Sequence, residues 1–358
     1  MSLTKWLIYK NLNQAIVLSN ILRRFLRIRT KTLLVAYKGY GSPWRVFIKG
    51  SLLKDRPTLV VDRGDKRFKN MRNMIARYLS TPQAGLCVEV CVGEQQKAVM
   101  TDEKGYFEAW LEPNEALEPG WHTAHCRLKD GEEEVSTVAT FLVVAPERVR
   151  FGVISDIDDT VLISHATRLF RKLWLILTKN ARTRLPFEGV AHFYQQLEGQ
   201  ATAPNPLFYV SSSEWNLYDF LEDFFAVNDL PKGPFLLQQL KKGLRELIFT
   251  GGGDHSHKLQ KINRLFDLYP DLPFVLIGDS GQHDISIYAT VVARHPDSVL
   301  AVYIRQVRPS DEIDPEDQRV FDRAGVKVLL SPDTAVAEQH ARSIGLIDPS
   351  FGAGQGGY

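Results

Sequence analysis

Phe151-Gly152-Val153-Ile154-Ser155-Asp156-Ile157-Asp158-Asp159-Thr160 (FGVISDIDDT) is the stretch that decides the fold of this chain. Phe151 to Ser155 read as a short buried strand. Asp156, Asp158 and Asp159 then crowd its end, and Thr160 closes the turn. Three carboxylates within four residues repel one another, and a divalent cation at the carboxyl end of a parallel strand is the usual way that charge is offset. An acidic turn that merely caps a helix is the plainer reading, but a hydrophobic strand feeding straight into DxDxT is much rarer than an acidic turn.

Working outward, apolar strand-like runs recur after residue 150 at Leu207–Ser211, Pro234–Leu237, Phe274–Ile277, Val299–Ile304 and Val326–Leu330, with helical runs between most of them. That alternation predicts an α/β domain with a doubly wound parallel sheet. Three of the later stretches carry chemistry. Phe208 to Ser213 (FYVSSS) runs a strand into hydroxyl residues, which suit a phosphate but also serve as helix caps. Lys258 opens a helix predicted over Lys258–Leu268, where it could reach a phosphate oxygen or simply face solvent. The glycine run before it lacks the Gly-Lys-Ser/Thr ending of a P-loop, and His255 with His257 lack a third ligand for zinc. Val275 to Asp284 (VLIGDSGQHD) ends a further strand in Asp279, with Asp284 five residues on and glycines that permit a tight turn.

Before residue 150 the texture differs. Candidate strands at Leu33–Tyr37, Trp44–Gly50, Leu86–Val92, Ala98–Thr101, Tyr106–Leu111, His122–Leu128 and Val135–Val144 suggest an antiparallel β-sandwich-like domain, interrupted by a basic helical insertion at Asp65–Leu79. No catalytic constellation is visible there. The chain therefore divides into a basic amphipathic helix within 1–31, an accessory β domain over 32–148, a catalytic α/β domain over 149–348 and a disordered tail over 349–358.

The 358 residues exceed one ordinary core, and 44% apolar with 24% charged residues is the composition of a globular protein. The net charge of +2 is unevenly spread: residues 1–80 hold 18 Lys and Arg against 3 Asp and Glu, a net of +15, which leaves −13 for the remainder. Such asymmetry suits an anionic surface at the N-terminal end, or a solvated basic face. Three cysteines without zinc spacing argue against a disulfide framework, and Cys87 and Cys91, on one face of a strand, read as buried thiols. No apolar run is long enough to span a bilayer, and Lys10, Asn11 and Asn13 interrupt any cleavable signal, so the expected location is cytoplasmic.

SDIDDT, YVSSS, HK and LIGDSGQHD, in that order over roughly residues 150–335, resemble the haloacid dehalogenase-like phosphohydrolases. More closely, they resemble the phosphatidate phosphatase family of the fungal actin-patch protein and its bacterial relatives, which also carries a β-rich region with a TDEKGYF-like turn, here Thr101–Phe107. Glu214 departs from the family, which has proline after the serines. The resemblance implies Asp156 as nucleophile and Asp158 as acid and base. It implies Ser211, Lys258 and Thr160 as the phosphate-binding and loop-holding set. Magnesium would be held by Asp156, Asp279, the Asp158 carbonyl and Asp284. The implied activity is magnesium-dependent hydrolysis of phosphatidate or a similar lipid phosphate. Soluble phosphomonoesters or phosphoproteins are the alternative substrates, and a non-enzymatic membrane or partner adaptor is the alternative of another class. Little sequence is spare for a large lid between Ser211 and Lys258. The segment 167–184, six basic residues around an apolar centre, suits an anionic phospholipid at an interface or a helix packed on the β domain. Peripheral contact with the inner membrane face through 1–31 and 167–184 is expected, and no nucleic acid partner.

Overall fold

The computed structural model describes residues 32–54, 80–130, 134–157, 189–199, 203–239, 256–281 and 283–347. The sequence readings at 1–31, 65–79, 158–160, 167–184 and 349–358 lie outside them.

The first sheet holds β1 (Thr32–Ala36), β2 (Gly39–Ser42), β3 (Arg45–Lys54), β4 (Thr81–Pro82), β5 (Cys87–Val92), β6 (Gln95–Met100), β7 (Tyr106–Leu111), β8 (Gly120–Leu128) and β9 (Ser136–Val143). Strand β3 is its hub. β1 and β2 share one edge of it, and β4 and β7 share the other. From β2 the path runs through β9, β8 and β5 to β6. The expected antiparallel sandwich needs correcting on two points: among the described residues these strands form one sheet, and β2 pairs with β9 in parallel. Strict alternation builds the core. Val88, Val90 and Val92 of β5 point inward and meet Ile48, Phe107, Cys126 and Phe141. The same alternation puts Cys87 and Cys91 on the other face, half-buried; of the three free cysteines only Cys126 is buried. Strand β2, Gly-Tyr-Gly-Ser, escapes a sequence reading because its composition is that of a turn. It is a strand because β3 and β9 pair with it on either side.

The second sheet holds β10 (Gly152–Asp156), β11 (Leu207–Glu214), β12 (Phe235–Gln238), β13 (Phe274–Asp279), β14 (Val299–Arg305) and β15 (Lys327–Ser331). Their order is β12-β11-β10-β13-β14-β15, and every pairing is parallel. The helices are α1 (Val190–Glu198), α2 (Tyr218–Val227), α3 (Ser256–Leu268), α4 (Asp284–Arg294), α5 (Pro315–Ala324) and α6 (Thr334–Ser343). Val153, Tyr209, Val275 and Tyr303 face α1, α2 and α6, whereas Ile154, Phe208, Leu276 and Val302 face α3, α4 and α5. With both faces covered, no strand position is free to be polar, so these strands read as continuous apolar runs. The order reverses between β10 and β13, and such a reversal opens a crevice at the carboxyl ends of the strands.

The two sheets share a packed seam. Tyr37, just past β1, stacks on Trp215 with ring centroids 4.2 Å apart and tilts against Tyr218 at 4.9 Å. Tyr40 meets Phe208 edge-on at 6.0 Å, and the Tyr269 hydroxyl donates to the Gly41 carbonyl at 3.0 Å. Aromatic pairs add about 0.5–1.5 kcal/mol each beyond the area they bury. Lys38 adds an ion pair to Glu222, and its backbone N–H donates to the Tyr218 hydroxyl. Among the described residues no helix is long and apolar enough to cross a membrane.

Candidate active site

Strand register assembles the site. Asp156 ends β10 opposite Val210 of β11, so Ser211 lies just past that pairing. β13 flanks β10 on its other side and ends in Asp279. Helix α4 starts at Asp284 after His283, which adopts a left-handed φ of 63° and turns the chain back over the strand end. Asp156, Asp279 and Asp284 are all fully buried, and one carboxylate oxygen from each lies within 4.8 Å of the others. Lys258, in the first turn of α3 and 3% exposed, reaches the same point. Its ammonium donates to Asp156 Oδ1 at 2.7 Å and also to Asp284 Oδ1.

Asp284 does more than the sequence suggested. One oxygen holds Lys258, and the other accepts from the Asp279 backbone N–H at 3.1 Å. This close approach explains Gly278. A Cβ there would stand 2.5 Å from Asp284 Oδ2 and 2.8 Å from the Tyr288 ring, so its value is space rather than turning freedom. The Gly281 N–H donates to Asp279 Oδ1.

A second support lies under Asp156. The Ser155 hydroxyl donates to the Asp156 carbonyl at 2.7 Å. It has one proton, so the Tyr194 hydroxyl, 2.7 Å away, donates to it. Burial, with Asp156 nearby, pushes the Tyr194 hydroxyl well above its usual range and keeps that proton in place. Tyr288 is held up in the same way, by burial and then by Asp284 and Asp156, and donates to the Ile277 carbonyl at 2.7 Å. Burial works against the charge of Lys258, but Asp156 and Asp284 more than offset it and hold the ammonium above the ordinary lysine range.

Among the described residues, this set of three buried carboxylates and one ammonium has a formal charge of −2. Removing each ion from water costs several kcal/mol, a cost that nearby opposite charge or a bound cation offsets. The donors are hard oxygens, the set that suits magnesium or calcium rather than zinc. The residues therefore fit a divalent cation.

Of the residues singled out from the sequence, Asp156, Lys258, Asp279 and Asp284 converge. Ser211 lies fully buried beside them, its hydroxyl accepting from the Ser213 N–H at 2.8 Å. Asp158 and Thr160 lie outside the described residues. Sequence reasoning missed Lys261, whose ammonium donates to the Ser211 carbonyl at 2.9 Å. Its spacing of three from Lys258 on one helix was the available signal.

The fold and site thus define an α/β protein with a buried acid–lysine centre at the switch point of a parallel sheet. Residues 151–306, somewhat under half of the chain, match the family model described as phosphatidate phosphatase APP1, catalytic domain. Phosphatidate phosphatase APP1 of Saccharomyces cerevisiae is 32% identical over 154 residues, 43% of this chain and 25% of that protein. An uncharacterized protein of Schizosaccharomyces pombe is 29% identical over 186 residues, 50% of this chain and 29% of that protein. The chain thus spans between a quarter and a third of the length of these relatives. Among solved structures, the titin M10–obscurin-like 1 Ig complex aligns with a TM-score of 0.18 and 12% identity, over 32% of this chain and 96% of that one, too weakly to bear on fold or function.

Proposed function

We propose that this protein is a haloacid dehalogenase-like, magnesium-dependent phosphatase that hydrolyses phosphatidate or a similar lipid phosphate monoester. The observation that carries the reading is the buried convergence of Asp156, Asp279, Asp284 and Lys258 within a segment matching a phosphatidate phosphatase catalytic domain.

In this reading an Asp156 carboxylate oxygen attacks phosphorus, and the bond from phosphorus to the leaving oxygen breaks. Asp158 gives that oxygen its proton. Asp158 then takes a proton from water as the water oxygen attacks the aspartyl-phosphate, releasing inorganic phosphate and restoring Asp156. Splitting one displacement into two lowers each barrier. The Tyr194–Ser155 chain holds the Asp156 backbone in place. Lys258 and Ser211 bind the phosphoryl oxygens, and Asp284 aims Lys258. Asp156, Asp279 and Asp284 would hold the cation, which when bound neutralises charge between an anionic nucleophile and an anionic substrate. Peripheral contact with an anionic membrane face, through 1–31 and 167–184, would bring the site to its lipid.

The test is phosphate release from phosphatidate in mixed vesicles, with and without magnesium, beside a water-soluble phosphomonoester. Release from vesicles that needs magnesium and vanishes in Asp156→Asn supports the reading. Turnover of the soluble ester alone removes the lipid substrate and keeps the phosphatase.

A further inference from the structure

A cleft of about 270 Å³ opens where the two sheets meet, beside the acid–lysine centre. Its walls come from both halves of the chain. Helix α3 supplies one wall through His257, Gln260, Lys261 and Arg264. Their spacing of three, four and seven residues from the first sets them on one face of the helix. Lys258 sits about 100° round the same helix, on the side buried with Ile262 and Leu265. One helix thus presents a catalytic candidate inward and a polar, cationic stripe into the cleft. Lys261 joins the two, since it lines the cleft and holds the Ser211 carbonyl.

The opposite wall comes from the first sheet. Lys49 of β3 is 7% exposed, with its ammonium 5.2 Å from the Tyr106 ring and 5.6 Å from the Trp215 ring. Burial pushes its pKa down, and Glu108 works against that. Lys38 and Lys104 complete the cations. Tyr40, Phe47, Trp215 and Phe235 supply aromatic surface, and the Arg264 guanidinium lies 5.1 Å over the Phe47 ring. Among the described residues, five cations line the cleft against the one carboxylate of Glu108, a net of +4. Glu222 beside Lys38 and Asp102, which accepts from Gln239, reduce the local balance without reversing it. The acid–lysine set at the carboxyl ends of β10 and β13 therefore neighbours a positively charged lining beside β12.

We propose that this cleft binds the amphipathic body of the substrate, the part next to the transferred phosphate. The inference rests on the phosphatase reading above and deepens it. Ester carbonyl oxygens face Lys49, Lys104 and Arg264, and the first methylenes lie on Trp215, Phe235 and Phe47. The volume is at the small end for ligand sites, room for a glyceryl diester, with long acyl chains left to run outward. The β domain is then half of the specificity site.

The test uses the full chain and two water-soluble probes that differ only in the body, dihexanoyl phosphatidate and glycerol 3-phosphate. Arg264 and Gln260 are both exposed: Arg264→Ala removes the guanidinium that lies over Phe47 and beside Tyr40, and Gln260→Glu sets a carboxylate in the same wall without removing a cation or a core contact. Each variant is expected to lower the ratio of kcat/KM for dihexanoyl phosphatidate over glycerol 3-phosphate at least tenfold. A ratio within twofold of the parent overturns the proposal, even if both rates fall, because both probes then report only the phosphate. Calorimetric binding of dihexanoyl phosphatidate to Asp156→Asn protein, with magnesium present, separates this failure from failure of the phosphatase reading. An at least tenfold weaker Kd on adding Arg264→Ala supports the cleft even if no ester is hydrolysed. An unchanged Kd overturns it even if phosphatidate is the substrate.

Discussion

In the first sheet, Glu89, itself mostly covered, stands between the exposed Arg127 at 2.7 Å and Lys129 at 2.6 Å, which balance its charge. At the carboxyl ends of the two central strands of the parallel sheet, Asp156, Asp279 and Asp284 cluster in full burial, and Lys258 pairs with Asp156 and Asp284. The two regions use the same residue types to opposite ends. The balanced cluster holds Glu89 below its usual pKa through hydrogen bonds from Lys129 and Arg127. The buried centre gathers three carboxylates where desolvation makes each charge costly, an arrangement that structure alone seldom requires. Such a cluster suits the cation and phosphate of the proposed reaction.

This contrast is open to attack, beginning where the effect is largest. Asp156→Asn should lower phosphate release at least about a thousandfold, as removal of a nucleophile does. The same change reduces the carboxylate excess, so Tm should not fall; a marked drop in calorimetric Tm would show that Asp156 is chiefly structural. Lys258→Met should destabilise by about 3–5 kcal/mol in urea melts, the cost of breaking a buried pair and leaving its charge alone. Magnesium in hundredfold excess over its Kd should raise parental stability by about 2.7 kcal/mol, and this gain should disappear in Asp279→Asn. In the Glu89 cluster, Glu89→Gln should cost no more than about 1 kcal/mol in urea melts, because the partners Arg127 and Lys129 stay in solvent and ion pairs with exposed partners contribute little. A larger loss would erase the contrast between the regions.

The smallest effect concerns pH. His340, 3.0 Å from the Tyr303 hydroxyl, has its pKa pushed below the ordinary 6.5 by burial and by Lys327. The unfolded chain therefore binds this proton more readily than the folded one. The contribution is complete above about pH 6.5 and is lost as pH falls through the folded value. His340→Gln should flatten the stability–pH curve just below pH 6.5, as thermal melts across a pH series would show.

The strands of the parallel sheet were legible because burial on both faces makes each an apolar run with a chemical residue at its end. Asp156, Asp279 and Asp284 were legible for the same reason. Strand β2 was not, since its glycines encode a turn until two neighbours pair with it. Lys261 was not, because a lysine three residues from another is ordinary on a helix unless something shows which carbonyl it meets. The cysteines of β5 were assigned to the wrong face, since alternation says that two residues share a side but not which side is inward.

Local sequence alone determined which residues carry charge, which runs can be strands and in what order the acids, serines and lysine appear. Those follow from side-chain chemistry and from the period of each element. Tertiary structure alone decided that Asp284 grips both Lys258 and the Asp279 backbone, that Tyr194 supports Ser155, and that α3 faces Phe47 across a cleft. Each of these joins residues far apart in the chain, and their meeting depends on strand order and register, which no local period encodes.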